Sequence, residues 1–114
     1  MQTRDQKFAI AVYDRVIQHQ NNPKKDRYGS MAKSLPVLVR TSGLAQAITF
    51  LKSKEKDGMN RELLNDLAAS LGKANLVNEC LDAPLTDYMV LTKDVLAALL
   101  WFKRFSVSVL GVGD

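Results

Sequence analysis

LPVLVRTSGLAQA, running from Leu35 to Ala47, decides how the rest of the chain is read. Val37-Leu38-Val39 has the composition of a strand, yet a strand needs a partner, and no second run of that kind occurs in the 114 residues. Helical spacing surrounds it instead. Tyr28, Met31, Ala32 and Leu35 recur at three and four before it, and Leu44, Ala45, Ala47, Ile48 and Leu51 do so after it. Pro36 removes a backbone donor from the first of these helices, so a kink is expected there, or a restart with Ser34 as cap. Thr41-Ser42-Gly43 is expected to break that helix from the next.

Working outward, Thr3-Arg4-Asp5-Gln6 has the form of a capping box. It opens a helix whose apolar side carries Ala9, Ile10, Val12, Tyr13, Val16 and Ile17, and which ends near Gln20, before Asn21-Asn22-Pro23. The second helix starts at Asp26, and the third ends in the charged run from Lys52 to Gly58. Asn60 is positioned to cap a fourth helix that Gly72 stops, and Asn75 to cap a short fifth around Leu76, Val77, Cys80 and Leu81. Thr86 opens the last and longest. Within it Val95 to Phe102 is apolar all round, which places that helix at the centre of the fold or under a partner. Gly111 and Gly113 imply a flexible tail over 111–114. The expectation is an all-α fold: one compact domain over residues 1–114, a bundle of five to six helices.

Composition agrees with a chain that folds unaided, at 46% hydrophobic and 25% charged. The N-terminus lacks the pattern of a signal peptide, and no apolar run approaches the ~20 residues of a membrane span. With its single cysteine, Cys80, the chain is expected in the cytoplasm. Net charge is +4, unevenly spread: residues 1–56 hold eleven Lys/Arg against four Asp/Glu, residues 57–114 five against eight. A basic surface for polyanions is expected, with an opposite surface for something else, such as the next subunit of an assembly.

Catalytic chemistry finds little material. His19 and Cys80 are the only residues of their types, the first suited to a helix C-terminus and the second to buried packing. They cannot alone make a zinc site, Asp57-Gly58 is no calcium loop, and Glu62 with Asp66 is expected as a solvated helix edge. No enzyme, metal or cofactor is therefore expected. The basic residues are the candidate site. Arg4, Lys7 and Arg15 form a stripe, Lys24, Lys25 and Arg27 an adjoining loop, and Lys33 and Arg40 lie seven apart on the next segment. Such cations can track a phosphodiester backbone. Only Tyr13 and Tyr28 lie near them for base stacking, so backbone or shape binding is expected over sequence readout. Val39 to Ile48 imitates a helix-turn-helix, but its second helix offers only Gln46 as a base reader.

Three segments, TRDQKFA (Thr3 to Ala9), LPVLVRTSGLAQA and LAALLWFKRF (Leu96 to Phe105), resemble the small helical subunit family of the type III-B CRISPR effector, the Cmr complex. With the helix order between them the resemblance covers nearly the whole chain. It implies a noncatalytic subunit of an RNA-guided, RNA-targeting antiviral ribonucleoprotein, stacking in a few copies beside other Cmr subunits and helping form the channel for guide and target RNA. It transfers no catalytic residue. The alternatives from the residues are a helical protein scaffold without RNA contact and a helix-turn-helix DNA-binding regulator.

Overall fold

A computed structural model describes residues 1–53 and 58–113. Helix α1 (Arg4–Val16) opens on the expected capping box, with Gln6 N donating to Thr3 Oγ1 at 3.1 Å and Thr3 N to Gln6 Oε1 at 2.8 Å. A 3-10 turn (Ile17–His19) ends this segment. Asn22 then shapes the loop, its Oδ1 accepting the Lys24 N–H at 2.8 Å.

Helix α2 (Lys25–Ser42) begins one residue before the position expected and runs through Pro36 without a restart. Ser34 is no cap, because its hydroxyl donates back to the Met31 carbonyl at 3.0 Å. Burial explains the continuity. An interior proline costs about 3 kcal/mol, whereas each buried Leu or Val contributes about 1.5–3 kcal/mol, and Leu35, Pro36 and Val39 all face the core.

Gly43 breaks the chain as expected, with φ of 87°, a left-handed backbone that favours glycine. Helix α3 (Leu44–Ser53) follows, and the Ala45 N–H at its start, left without an intrahelical partner, donates to the Tyr88 hydroxyl at 2.9 Å. The charged run at Lys54 to Asp57 lies outside the described residues. Helix α4 (Met59–Ser70) takes Gly58, not Asn60, as its N-cap. The chain enters through a left-handed turn that suits glycine, and Asn60 is carried into the buried first turn. Gly72 ends α4 as expected: Lys73 N donates to Ala68 O and Gly72 N to Ala69 O, the paired closure of a Schellman motif. Asn75 caps α5 (Leu76–Asp82), accepting the Asn78 N–H at 3.1 Å. Helix α6 (Leu85–Ser108) starts one residue before Thr86, behind Pro84.

These helices, without a strand among the described residues, form one globule with a radius of gyration of 13.3 Å, the size of about 13 Å expected for this length. Helix α6 is its axis, packed most extensively on α2 and next on α1. Val95, Ala98, Leu99 and Phe102 have no exposure, so most of the apolar circumference is covered by the chain itself, and Leu100 reaches solvent. Within the segment expected as a flexible tail, Val112 is packed against Gly29 of α2, where any Cβ would lie 2.4 Å from Val112 Cγ2. The Lys33 ammonium donates to the Gly113 carbonyl and holds the same segment. No described helix is long and apolar enough to cross a membrane.

Candidate nucleic-acid interface

One of the basic residues, Arg15, lies beside a buried carboxylate. Asp66, on the inner face of α4, is 6% exposed. Its Oδ2 accepts the Tyr28 hydroxyl at 2.6 Å and meets His19 Nε2 at 2.8 Å, while Arg15 Nη1 lies 3.9 Å from Oδ1. The His19 and Tyr28 rings stack with centroids 4.0 Å apart. The end of α1, the 3-10 turn, the start of α2 and the middle of α4 therefore meet at one group. The Glu62–Asp66 pair expected as a solvated edge is split: Glu62 is exposed, and Asp66 is interior. Burial, then the neighbouring carboxylate, raises the Tyr28 phenol far above its ordinary range.

Hydrogen-bond orientation favours one tautomer of His19. Because Asn22 Oδ1 is occupied by the Lys24 N–H, its Nδ2 donor faces His19 Nδ1 at 3.3 Å. Nδ1 is thus the acceptor, and Nε2 carries the proton given to Asp66. One ligand atom from each of His19, Glu62 and Asp66 lies within 4.8 Å of the others, the spacing of a potential metal group. A metal on Nε2 would move the ring proton to Nδ1, against the Asn22 donor, and would displace Tyr28 from Asp66. The donors fit a structural lock better than a metal centre.

That lock sorts the eight candidate cations. Tyr28 is one helical turn beyond Lys24, so Asp66 holds Arg15 in the same corner as Lys24, Lys25 and Arg27. Lys24 occupies the N-cap of α2 without a side-chain cap bond. The N–H groups at this helix end are largely satisfied from within, Lys24 N by Asn22 Oδ1, Lys25 N by the Asn22 carbonyl and Arg27 N by the Lys24 carbonyl, with Asp26 in the first turn, so the side-chain cations are what this corner offers an anion. Arg4 stands eleven residues up α1 from Arg15, paired with Asp94 of α6, and its guanidinium lies 5.4 Å from the Phe8 ring centroid. Lys7 is exposed between them. Lys33 and Arg40 continue along one flank of α2, two turns apart, with Lys33 engaged by Gly113. The structure gathers four of the eight into one corner and distributes the rest along α1 and α2.

The aromatic expectation changes. Tyr28 is fully buried and gives no stacking face. Tyr13 meets Phe105 edge-on at 5.4 Å, Phe105 stacks on Trp101 at 5.6 Å, and the Arg104 guanidinium lies 5.1 Å from the Trp101 ring centroid. Summing charge over halves of the chain hides this group, although WFKRF (Trp101 to Phe105) sets two basic residues among three aromatic ones. The helix-turn-helix imitation places Leu44, Ala47, Ile48 and Leu51 in the core, and the outward Gln46 and Thr49 line an apolar groove with Phe50 and Leu81, a poor surface for a DNA groove.

Residues 4–109 match the family model described as CRISPR-associated protein (Cas_Cmr5). The chain is 41% identical over 109 residues to the CRISPR system Cmr subunit Cmr5 of Thermus thermophilus, covering 93% of this chain and 95% of that protein. It is similar to the crystal structure of a CRISPR-associated Cmr5 family protein from the same organism, with a TM-score of 0.91 and 40% identity over 96% of this chain and 99% of that one.

Proposed function

The chain belongs to the Cas_Cmr5 family of CRISPR-associated proteins, and from that membership we propose that it is a noncatalytic small subunit of a type III-B Cmr effector, an RNA-guided, RNA-targeting ribonucleoprotein acting in the cytoplasm. It assembles with other Cmr subunits, stacks on further copies of itself and lines part of the guide and target RNA channel. The observation that carries this reading is the likeness to a Cmr subunit over nearly the full length of both chains. The RNA-contact part is supported by the corner of Arg15, Lys24, Lys25 and Arg27, whose cations suit phosphate oxygens.

A salt series of RNA binding by the isolated chain tests the contact. Replacing Lys24, Lys25 and Arg27 together by Glu removes three cations, and the slope of log affinity against log salt should become shallower by about 2 for single-stranded RNA. Glutamate suits a helix N-terminus, so the fold should survive the change. Arg15 is the wrong residue to reverse, because a new carboxylate would face buried Asp66. An unchanged salt slope would overturn the RNA contact at this corner.

A further inference from the structure

Asn22 lies between the buried lock and the basic corner, and each end of its amide is committed to one side. Oδ1 accepts the Lys24 N–H at 2.8 Å, while Nδ2 faces His19 Nδ1 at 3.3 Å and Met59 Sδ at 3.7 Å. This arrangement holds only while Nδ1 carries no proton, because an imidazolium donates from both ring nitrogens. On protonation Nε2 would keep Asp66, 2.8 Å away, but Nδ1–H and the Asn22 NH2 group would be two donors in contact. Turning the amide over gives Nδ1–H an acceptor. The same turn takes that acceptor from Lys24 and sets an NH2 group against the Lys24 N–H.

The ring's neighbours provide for the charged state. From α4, carboxylate oxygens of both Asp66 and Glu62 lie within 4.8 Å of a ring nitrogen. From α1, the Arg15 guanidinium stands 3.9 Å from Asp66 Oδ1, and from α2 Tyr28 stacks on the ring and donates its hydroxyl to Asp66. The loop itself adds Lys24 and Lys25. Two carboxylates against one guanidinium give an imidazolium its counter-ion without displacing Tyr28. At the other end of the relay, Lys24 is the N-cap of α2, so its N–H has no carbonyl of that helix to turn to. Once freed, that N–H stands with the Lys24, Lys25 and Arg27 cations and one new positive charge at His19, and together they suit a phosphate oxygen.

We propose that protonation of His19 turns the Asn22 amide and releases the Lys24 N–H to a phosphate oxygen, so that the basic corner binds RNA more tightly as pH falls through the range of about pH 8 to about pH 5 in which imidazole gains its charge. The tightening rests on the RNA contact proposed for this corner, and the amide movement does not.

The test follows the isotope-labelled full chain by NMR from about pH 8 to about pH 5. Hydrogen exchange at the Lys24 amide should quicken with the same midpoint as the change in the His19 ring signals. Asn22→Asp offers one carboxylate oxygen to each group at once, so in that variant the ring should still gain its proton while the Lys24 amide stays protected. Affinity for a single-stranded RNA, measured at both ends of the range at constant salt, should rise about threefold to tenfold for the native chain and change by less than about twofold in Asn22→Asp. Lys24 exchange that ignores the ring's charge, a ring that stays neutral throughout, or an equal rise in RNA affinity in the two proteins would overturn the proposal. RNA binding absent at every pH would overturn the RNA contact itself and the tightening with it, while Lys24 exchange would still decide the amide movement.

Discussion

Asp66 and Asp87 are both aspartates on amphipathic helices, and their surroundings give them opposite tasks. Asp66 is 6% exposed and is surrounded by Tyr28, His19 and Arg15, and through them it fixes where α1 ends and α2 begins. Asp87 is exposed on the first turn of α6, beside Val90, without an ion-pair partner among the described residues. The first is engaged inside the molecule, holding the basic corner in shape, while the second remains available to another molecule. A carboxylate's role thus follows from the donors that the fold brings to it, which sequence spacing alone does not reveal.

The comparison breaks most severely at Asp66. Asp66→Ala leaves the Tyr28 hydroxyl and His19 Nε2 buried without their acceptor, a loss of about 3–5 kcal/mol, whereas Asp87→Asn should stay within about 0.5 kcal/mol. Urea unfolding of the two variants measures the contrast directly, and equal losses would contradict it. Next in size is Gly29→Ala, which drives a methyl group into Val112. Overpacking of about 1–3 kcal/mol outweighs a gain in helix propensity of up to about 1 kcal/mol, and Val112→Ala in the same chain should recover part of the loss.

A smaller effect separates the regions by pH. Burial pushes the Cys80 thiol, on α5, up to about 11 from an ordinary 9.0, and it raises the Tyr28 phenol as well, from 10.0. Both groups lose protons first in the unfolded chain, so the stability due to them is complete at low pH. It falls as pH rises past 9 for Cys80 and past 10 for Tyr28. Urea midpoints measured through this range should decline. Cys80→Ala should flatten the early part and Tyr28→Phe the later part. The smallest change in stability, within about 0.5 kcal/mol, belongs to the Lys24, Lys25 and Arg27 reversal, read by thermal unfolding.

Much of the helix order is legible in the sequence because its signals are local. The Thr3 capping box, the breaks at Gly43 and Gly72 and the Asn75 cap each involve residues within a few positions of one another. Where sequence and structure part, the deciding conformation or contact lies outside the local pattern. Pro36 looks like an interruption in sequence because the burial of Leu35 and Val39 is a tertiary fact. Asn60 looks like a cap because residue type marks it as one, whereas the left-handed Gly58 backbone that opens the helix is a conformation no residue pattern there announces. Asp66 meets His19 and Tyr28 across 47 and 38 positions, so no spacing rule could pair them. The eight candidate cations are legible as a basic half, but their division into a corner held by Asp66 and two outlying sets is not. Likewise, Tyr13, Trp101 and Phe105 come together only because α1 lies against α6.

The most direct test of the central claim is purification of the tagged chain from its native cells, with mass spectrometry of the bound proteins and sequencing of the bound RNA. The account predicts recovery of other Cmr subunits together with guide RNA. Recovery of the chain alone, or with unrelated proteins and no guide RNA, would contradict it.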